Sequence, residues 1–327
     1  MAQIELHGIS KHFRVLQRPE GRLGMLRGAF LREVKMIKAL ENIQFQIGEG
    51  ELVGYIGPNG AGKSTTVKIM SGILTPDQGR CRIMNCIPWK DRVAHVSRIG
   101  VVFGQRSQLW WDLPVNDSFH MLKDIYSVKS AEYSDRLAEL TKALSIEDLL
   151  KTPVRQLSLG QRMRCEIAAS LLHRPDILFL DEPTIGLDAV SKLTLREFLK
   201  NENKNHGVTM ILTTHDMDDI ESLCSRVMVI GHGNLLYDGK LEALKKRYAP
   251  YRRMNATLSE YREPIPVEGA LKITAEGPVW SILYDPSQTA SHTMVERLSA
   301  LLPLRDISTA EENIDEIIAA MYKEMCL

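Results

Sequence analysis

A long apolar run is missing from this chain. The longest, Ile317 to Tyr322, has six residues, whereas a membrane-crossing helix needs about 20. The chain is therefore not expected to cross a bilayer by itself. Net charge is missing too: 41 Lys and Arg stand against 41 Asp and Glu in 327 residues. That balance argues against a protein that neutralises nucleic acid in bulk, and no nucleic-acid partner is expected. Cysteine is scarce. The five (Cys81, Cys86, Cys165, Cys224, Cys326) sit at unpatterned spacings, which fits reduced thiols better than a disulfide framework or a zinc site. The stretch from Met1 to His7 has no basic segment followed by an apolar one, so no secretory leader is visible and a cytosolic location is expected. Internal repeats and low-complexity segments are also absent. What remains is an ordinary globular composition, 44% hydrophobic and 25% charged, at a length suited to about two domains.

From Ile4 to about Tyr248 short apolar runs alternate with helical-period stretches, which predicts an α/β fold with substantial parallel pairing. The expected strands are Leu52 to Ile56, Ile99 to Phe103, Ile177 to Leu180, Val208 to Thr213 and Val227 to Ile230. Between Arg14 and Lys38 there are seven Lys or Arg and two acidic residues. There Leu26, Phe30, Val34 and Ile37 are spaced to share one helical face. This basic amphipathic insertion suits either an anionic leaflet or a membrane-bound partner, or packing on the rest of the domain. After Ala249-Pro250 the character changes: residues 251 to 327 hold seven basic and twelve acidic side chains. The boundary is therefore placed there, dividing residues 1–249 from a small α+β domain at 250–327. In that second part Arg253 to Leu258, Ala270 to Thr274 and Val279 to Tyr284 read as strands, the last two joined across Glu276-Gly277-Pro278. Helices are expected at about Thr293 to Leu302 and Asn313 to Met325.

Gly57-Pro58-Asn59-Gly60-Ala61-Gly62-Lys63-Ser64, followed by Thr65, satisfies the phosphate-binding loop pattern between an apolar strand and the helical run Lys63 to Met70. Glycines let successive N–H groups turn inward on phosphate oxygens, and the helix N-terminus adds a positive dipole end. Lys63 would reach the β- and γ-phosphates and the Ser64 hydroxyl would ligate Mg²⁺. Ile177 to Leu180 then delivers two adjacent carboxylates, Asp181 and Glu182. Because neighbouring strand residues point to opposite sides, the two are expected to divide the work, Asp181 on Mg²⁺ and Glu182 on the attacking water.

With those motifs in place, Leu157-Ser158-Leu159-Gly160-Gln161 resembles the signature of ATP-binding cassette (ABC) proteins. Gln105 resembles the family's Q-loop, Gly186-Leu187-Asp188 its D-loop, and Thr214-His215 its switch histidine. The resemblance runs in family order across Ile4 to Tyr248 and implies a P-loop NTPase of ABC type with a helical signature subdomain. It also implies ATP and Mg²⁺ as ligands and a head-to-tail dimer, with itself or a related cassette, in which Ser158, Gly160 and Gln161 cap the nucleotide of the other copy. Glu182 then matches the water-polarising residue and His215 the sensor of γ-phosphate and water. Gln105 matches a magnesium contact linked to the transport partner, and Asp188 lies in the D-loop at the shared site. Phe13 stands where the family places an aromatic on adenine, or else is plain packing. Leu159 departs from the usual second glycine of the signature, with little loss of activity expected. Trp110 and Trp111 follow the Q-loop, where either partner contact or intradomain packing suits them.

The resemblance thus implies the ATPase subunit of an ABC transporter, of the ABC-2 exporter group, at the cytoplasmic face of the membrane with separate permeases. The alternative is a soluble ABC ATPase acting as a conformational switch. Translation-type members carry two cassettes, and only one phosphate loop is present here. Repair-type members insert a long coiled coil for which Arg80 to Arg155 leaves no room. A binding module without catalysis is opposed by Lys63, Asp181, Glu182 and His215.

Overall fold

Apolar runs bounded by glycine and charge set the centre of the fold. A computed structural model of the chain describes residues 2–17, 33–104, 106–214, 216–248, 250–310, 317–318 and 321–322. By contacts the chain divides into two units, Met1–Gly239 and Lys240–Leu327.

In the first unit, a six-stranded sheet has the order β5-β6-β7-β3-β8-β9. Its strands are β3 (Leu52–Ile56), β5 (Ile99–Phe103), β6 (Ile177–Asp181), β7 (Thr209–Thr213), β8 (Arg226–Gly231) and β9 (Asn234–Lys240). Pairing is parallel from β5 through β6, β7 and β3 to β8, with Asp181 opposite Phe103 on one side and Thr213 on the other. Parallel strands covered on both faces read as continuous apolar runs rather than alternating ones, and β6 and β7 are buried almost throughout. A separate three-stranded antiparallel sheet joins β2 (Glu33–Gly48), β1 (Ala2–Gln17) and β4 (Gln78–Ile83).

This sheet corrects the expected helical insertion. Val34 and Ile37 lie in β2, opposite Leu16 and Phe13 of β1. Residues three apart share a helix face but not a strand face, and β-branched side chains favour the extended state once a partner strand satisfies the backbone. Leu26 and Phe30 lie outside the described residues.

The helices of this unit are α1 (Lys63–Met70), α2 (Arg92–Val96), α3 (Val115–Ile125), α4 (Ser130–Ala143), α5 (Leu159–Leu171), α6 (Ala189–His206) and α7 (Met217–Leu223). Three of them, α3 to α5, fill the connection between β5 and β6. The α5 N-terminus carries a capping box: the Ser158 hydroxyl accepts from the Gln161 N–H at 3.2 Å, and the Gln161 side chain accepts from the Ser158 N–H at 2.9 Å.

The second unit opens with α8 (Leu241–Tyr248), followed by β10 (Arg252–Leu258), β11 (Ala270–Glu276), β12 (Val279–Tyr284), α9 (Ser291–Leu301) and β13 (Leu304–Ala310). The sheet is antiparallel in the order β11-β12-β10-β13. Its buried residues Met254, Trp280, Ile282 and Tyr284 share one core with Met294 and Leu298 of α9. The edge strand β13 was not expected, because Arg305 and Asp306 break its apolar pattern. Pairing to β10 supplies what local pattern does not. Of the expected last helix, Ile317, Ile318 and Met321 are buried, and most of its other residues lie outside the described ones. Among the described residues no helix is long and apolar enough to cross a membrane.

Candidate functional site at the strand ends

The carboxyl ends of β3, β6 and β7 lie side by side, and each delivers polar groups. After β3 the chain turns through the phosphate loop into α1. Gly62 adopts φ +112°, and a Cβ there would stand 2.6 Å from Leu40 Cδ2 and 2.7 Å from the Ala39 carbonyl oxygen. Only glycine fits that approach. Lys63, 6% exposed, folds back so that its ammonium donates to the carbonyls of Gly57 at 2.6 Å and Pro58 at 3.1 Å. An ammonium has three donors, and two of them are taken up among the described residues. Burial lowers the Lys63 pKa, opposed by the nearby carboxylates of Glu182 and Asp181. Asn59 and Gly60 are exposed and Thr65 is half-buried on α1.

A cavity of about 260 Å³ brings Ser64 together with Asp181 and Glu182, and Lys68, Phe103, Gly104 and Arg106 complete its wall. Larger clefts exist; one of about 640 Å³ is lined by Arg226, Glu51 and Asp238. Those charges are paired at 2.7–2.8 Å, and none of the motif residues faces that cleft.

The two acids are not on opposite sides, which corrects the expectation from strand alternation. Strand β6 ends at Asp181, and Glu182 leaves it at φ +57°, so the strand rule stops one residue early and both carboxylates reach one cavity. A left-handed residue other than glycine costs on the order of 1–3 kcal/mol and persists only where its surroundings hold it. One bond that holds it runs from the Glu182 N–H to the Thr213 carbonyl at 2.8 Å. The Thr213 hydroxyl donates to Asp181 at 2.5 Å.

Gln105 and His215 lie outside the described residues; their neighbours Gly104 and Arg106 follow β5, and Thr214 and Asp216 follow β7. The signature residues Ser158, Gly160 and Gln161 do not line the cavity; Ser158 is exposed at the N-terminus of α5. Leu159 fills the space left by Gly186, whose added Cβ would stand 2.3 Å from Leu159 Cδ2. The departure from the usual glycine is thus met by a glycine within the same chain. Asp188 caps α6, accepting from the Ser191 N–H and hydroxyl at 2.9 Å each, bonds that hold its carboxyl below the usual range. Phe13 is half-buried, with the Lys11 ammonium 5.8 Å from its ring centroid, and does not line the cavity. Trp111 is 53% exposed, with the Arg162 guanidinium 5.7 Å from its ring; Trp110 is half-buried.

Sequence reasoning missed several supporting groups. Glu166 on α5 is buried and accepts from the Ser107 hydroxyl and the Gln108 N–H, anchoring the segment after residue 105. Thr213, Thr184 and Asp219 were not singled out either. Hydroxyls flanking the acid pair and the histidine were the available signal; nothing in spacing pointed to Asp219.

A match to the family described as ABC transporter spans residues 40–185. The ABC transporter ATP-binding protein NatA of Bacillus subtilis is 33% identical over 215 residues, 66% of this chain and 87% of NatA. The linearmycin resistance ATP-binding protein LnrL of the same organism is 31% identical over 224 residues, 68% of this chain and 71% of LnrL. A protein named for methionine import is similar at a comparable identity. Among solved structures, the dimeric post-hydrolysis state of an ATP-binding cassette bound to ADP and Pi superposes with a TM-score of 0.61 at 27% identity, covering 73% of this chain and 98% of that one.

Proposed function

Because the chain belongs to the ATP-binding subunits of ABC transporters, and is therefore an ATPase, we propose that it works as one half of a head-to-tail dimer that drives separate membrane permeases in the direction of export. One observation carries the dimer: Ser64, Asp181 and Glu182 share a cavity that the signature serine of the same chain does not line. A second copy supplies Ser158 and Gly160 from the N-terminus of α5, whose N–H groups and dipole favour an anion.

Within one half-site, Lys63 and the phosphate loop hold and orient the phosphates, and Glu182 polarises the attacking water. The hydroxyl of Ser64 and the carboxylate of Asp181 are hard oxygen donors on one cavity and fit Mg²⁺. When bound, that ion neutralises charge on the β- and γ-phosphate oxygens. His215, directly after Thr214, and Gln105, directly after Gly104, complete the reading by their place in the chain, and Phe13 takes the adenine. Export is supported by the resistance named for LnrL, and methionine import by a similar protein supports the opposite direction. The subunit is placed at the cytoplasmic face of the membrane, held there by its permeases. Co-purification with multi-span membrane proteins supports this placement, whereas recovery with ribosomes or free of membranes favours a soluble switch.

The Glu182→Gln variant keeps shape and removes the basic carboxylate. It is expected to bind ATP normally, to lose turnover by about 10²-fold or more, and to elute as a dimer in MgATP on size exclusion. Hydrolysis at the wild-type rate overturns the assignment of Glu182.

A further inference from the structure

Asp219 on α7 is fully buried and its carboxylate collects three donors. One oxygen accepts the hydroxyls of Thr184 at 2.7 Å and Thr214 at 3.2 Å; the other accepts Arg196 Nε at 2.6 Å. Burying a carboxylate is costly unless its lone pairs are met by well-placed donors, and here the donors come from three different places. Thr184 stands two residues after Glu182, Thr214 immediately before residue 215, and Arg196 on α6.

The same hydroxyl of Thr214 also accepts from the Asp216 N–H at 2.9 Å. Asp216 is ion-paired to Lys192 and, at 3.3 Å, to Arg196. The described residues on either side of position 215 are thereby fastened: Thr213 to Asp181, Thr214 to Asp219, and Asp216 to α6. Asp219 ties this segment to the stretch that follows Glu182 through side chains, beside the backbone bond from the Glu182 N–H to the Thr213 carbonyl. A single oxygen holding two hydroxyls carries the tie between the two strands beyond the end of their ladder at Asp181 and Thr213.

We propose that Asp219 is a positioning residue for hydrolysis, one that sets the spacing between the Glu182 carboxylate and the segment around residue 215 by holding Thr184 and Thr214 on one oxygen. The proposal rests on the reading of Glu182 as the water-polarising group. Asp219 touches no phosphate-loop residue among its hydrogen-bond partners, so it acts on the chemical step and not on nucleotide capture. Misplacement on the order of 1 Å can cost about 10²-fold in rate.

The test compares kcat and KM for ATP in the full-length chain. Asp219→Asn is expected to lower kcat by about tenfold or more with KM within about twofold. Thr184→Val and Thr214→Val should each lower kcat, and the double variant should lose less than the product of the two, since both act through one oxygen. Counting ATP-binding sites per chain separates a positioning role from loss of folded protein. If kcat per binding site stays within twofold of wild type in Asp219→Asn, the proposal fails. Should Asp219→Asn not fold, the two threonine variants decide, and unchanged kcat in both overturns it. Glu182→Gln is measured alongside: wild-type turnover there defeats the reading of the site itself, whatever the Asp219 variant does.

Discussion

One imidazole shows how a single buried group ties folding to pH. His173 donates through Nε2 to the Ile99 carbonyl at 3.0 Å and stacks on Tyr126, ring centroids 3.8 Å apart and planes 7° from parallel. Its Nδ1 is buried with no partner among the described residues, so a second proton would find no acceptor. Burial pulls its pKa from 6.5 down to about 4, only partly opposed by the Ile99 carbonyl. Between those values the unfolded chain binds the proton that the folded chain refuses. The His173 contribution to stability is therefore whole above pH 6.5 and falls as the pH drops toward 4, by up to about 3 kcal/mol. Urea midpoints at pH 7.5 and pH 5 should differ in the wild type and draw together in His173→Gln; an unchanged pH dependence in that variant would show that the loss comes from other groups.

Helices α4 and α6 are joined through a buried ion pair, and the joint is stronger evidence about breakage than about net stability. Arg136, 2% exposed, makes a two-pronged contact to Glu202 at 3.1 and 2.7 Å and a further one to Glu139 at 2.9 Å. Glu202 is itself 3% exposed. Arg136→Met leaves that buried carboxylate with only the His206 imidazole, 3.4 Å away, among its described ion-pair partners and should cost about 3–5 kcal/mol, whereas Arg136→Met with Glu202→Leu should regain much of the loss. Equilibrium denaturation of both variants checks this, and a single-variant loss below 1 kcal/mol would be against it. Neither partner stood out in the sequence, because two charges 66 positions apart carry no local pattern. Elements whose apolar run is bounded by breakers were legible almost to the residue, as β3, β5, α1 and β12 show. Where two periods competed, as at Val34 and Ile37, a strand was mistaken for a helix. The placement of Ser64 and Asp181 at one cavity followed from loop and strand alone. The turn at Glu182 did not, since a left-handed φ in a residue with a side chain is imposed by its neighbours and not by its own preference.

On the scale of the whole molecule, two copies with complementary defects test the shared site. Lys63→Ala disables the phosphate loop, and Ser158→Asp keeps a good helix cap while placing a negative charge where phosphate is expected. Each variant alone should be inactive and normally folded. Mixing them should restore part of the ATPase activity, because one of the two composite sites in a mixed dimer carries neither defect. No recovery from a mixture that demonstrably forms dimers would count against the head-to-tail arrangement. Against the net stability of an ordinary domain, about 5–15 kcal/mol, the backbone of Glu182 at φ +57° withholds a perceptible part. Glycine at 182 would relax that turn and firm the fold while removing the carboxylate from the cavity. Selection for folding margin and selection for turnover thus pull on this position in opposite directions, and the residue that stands there records which of them prevailed.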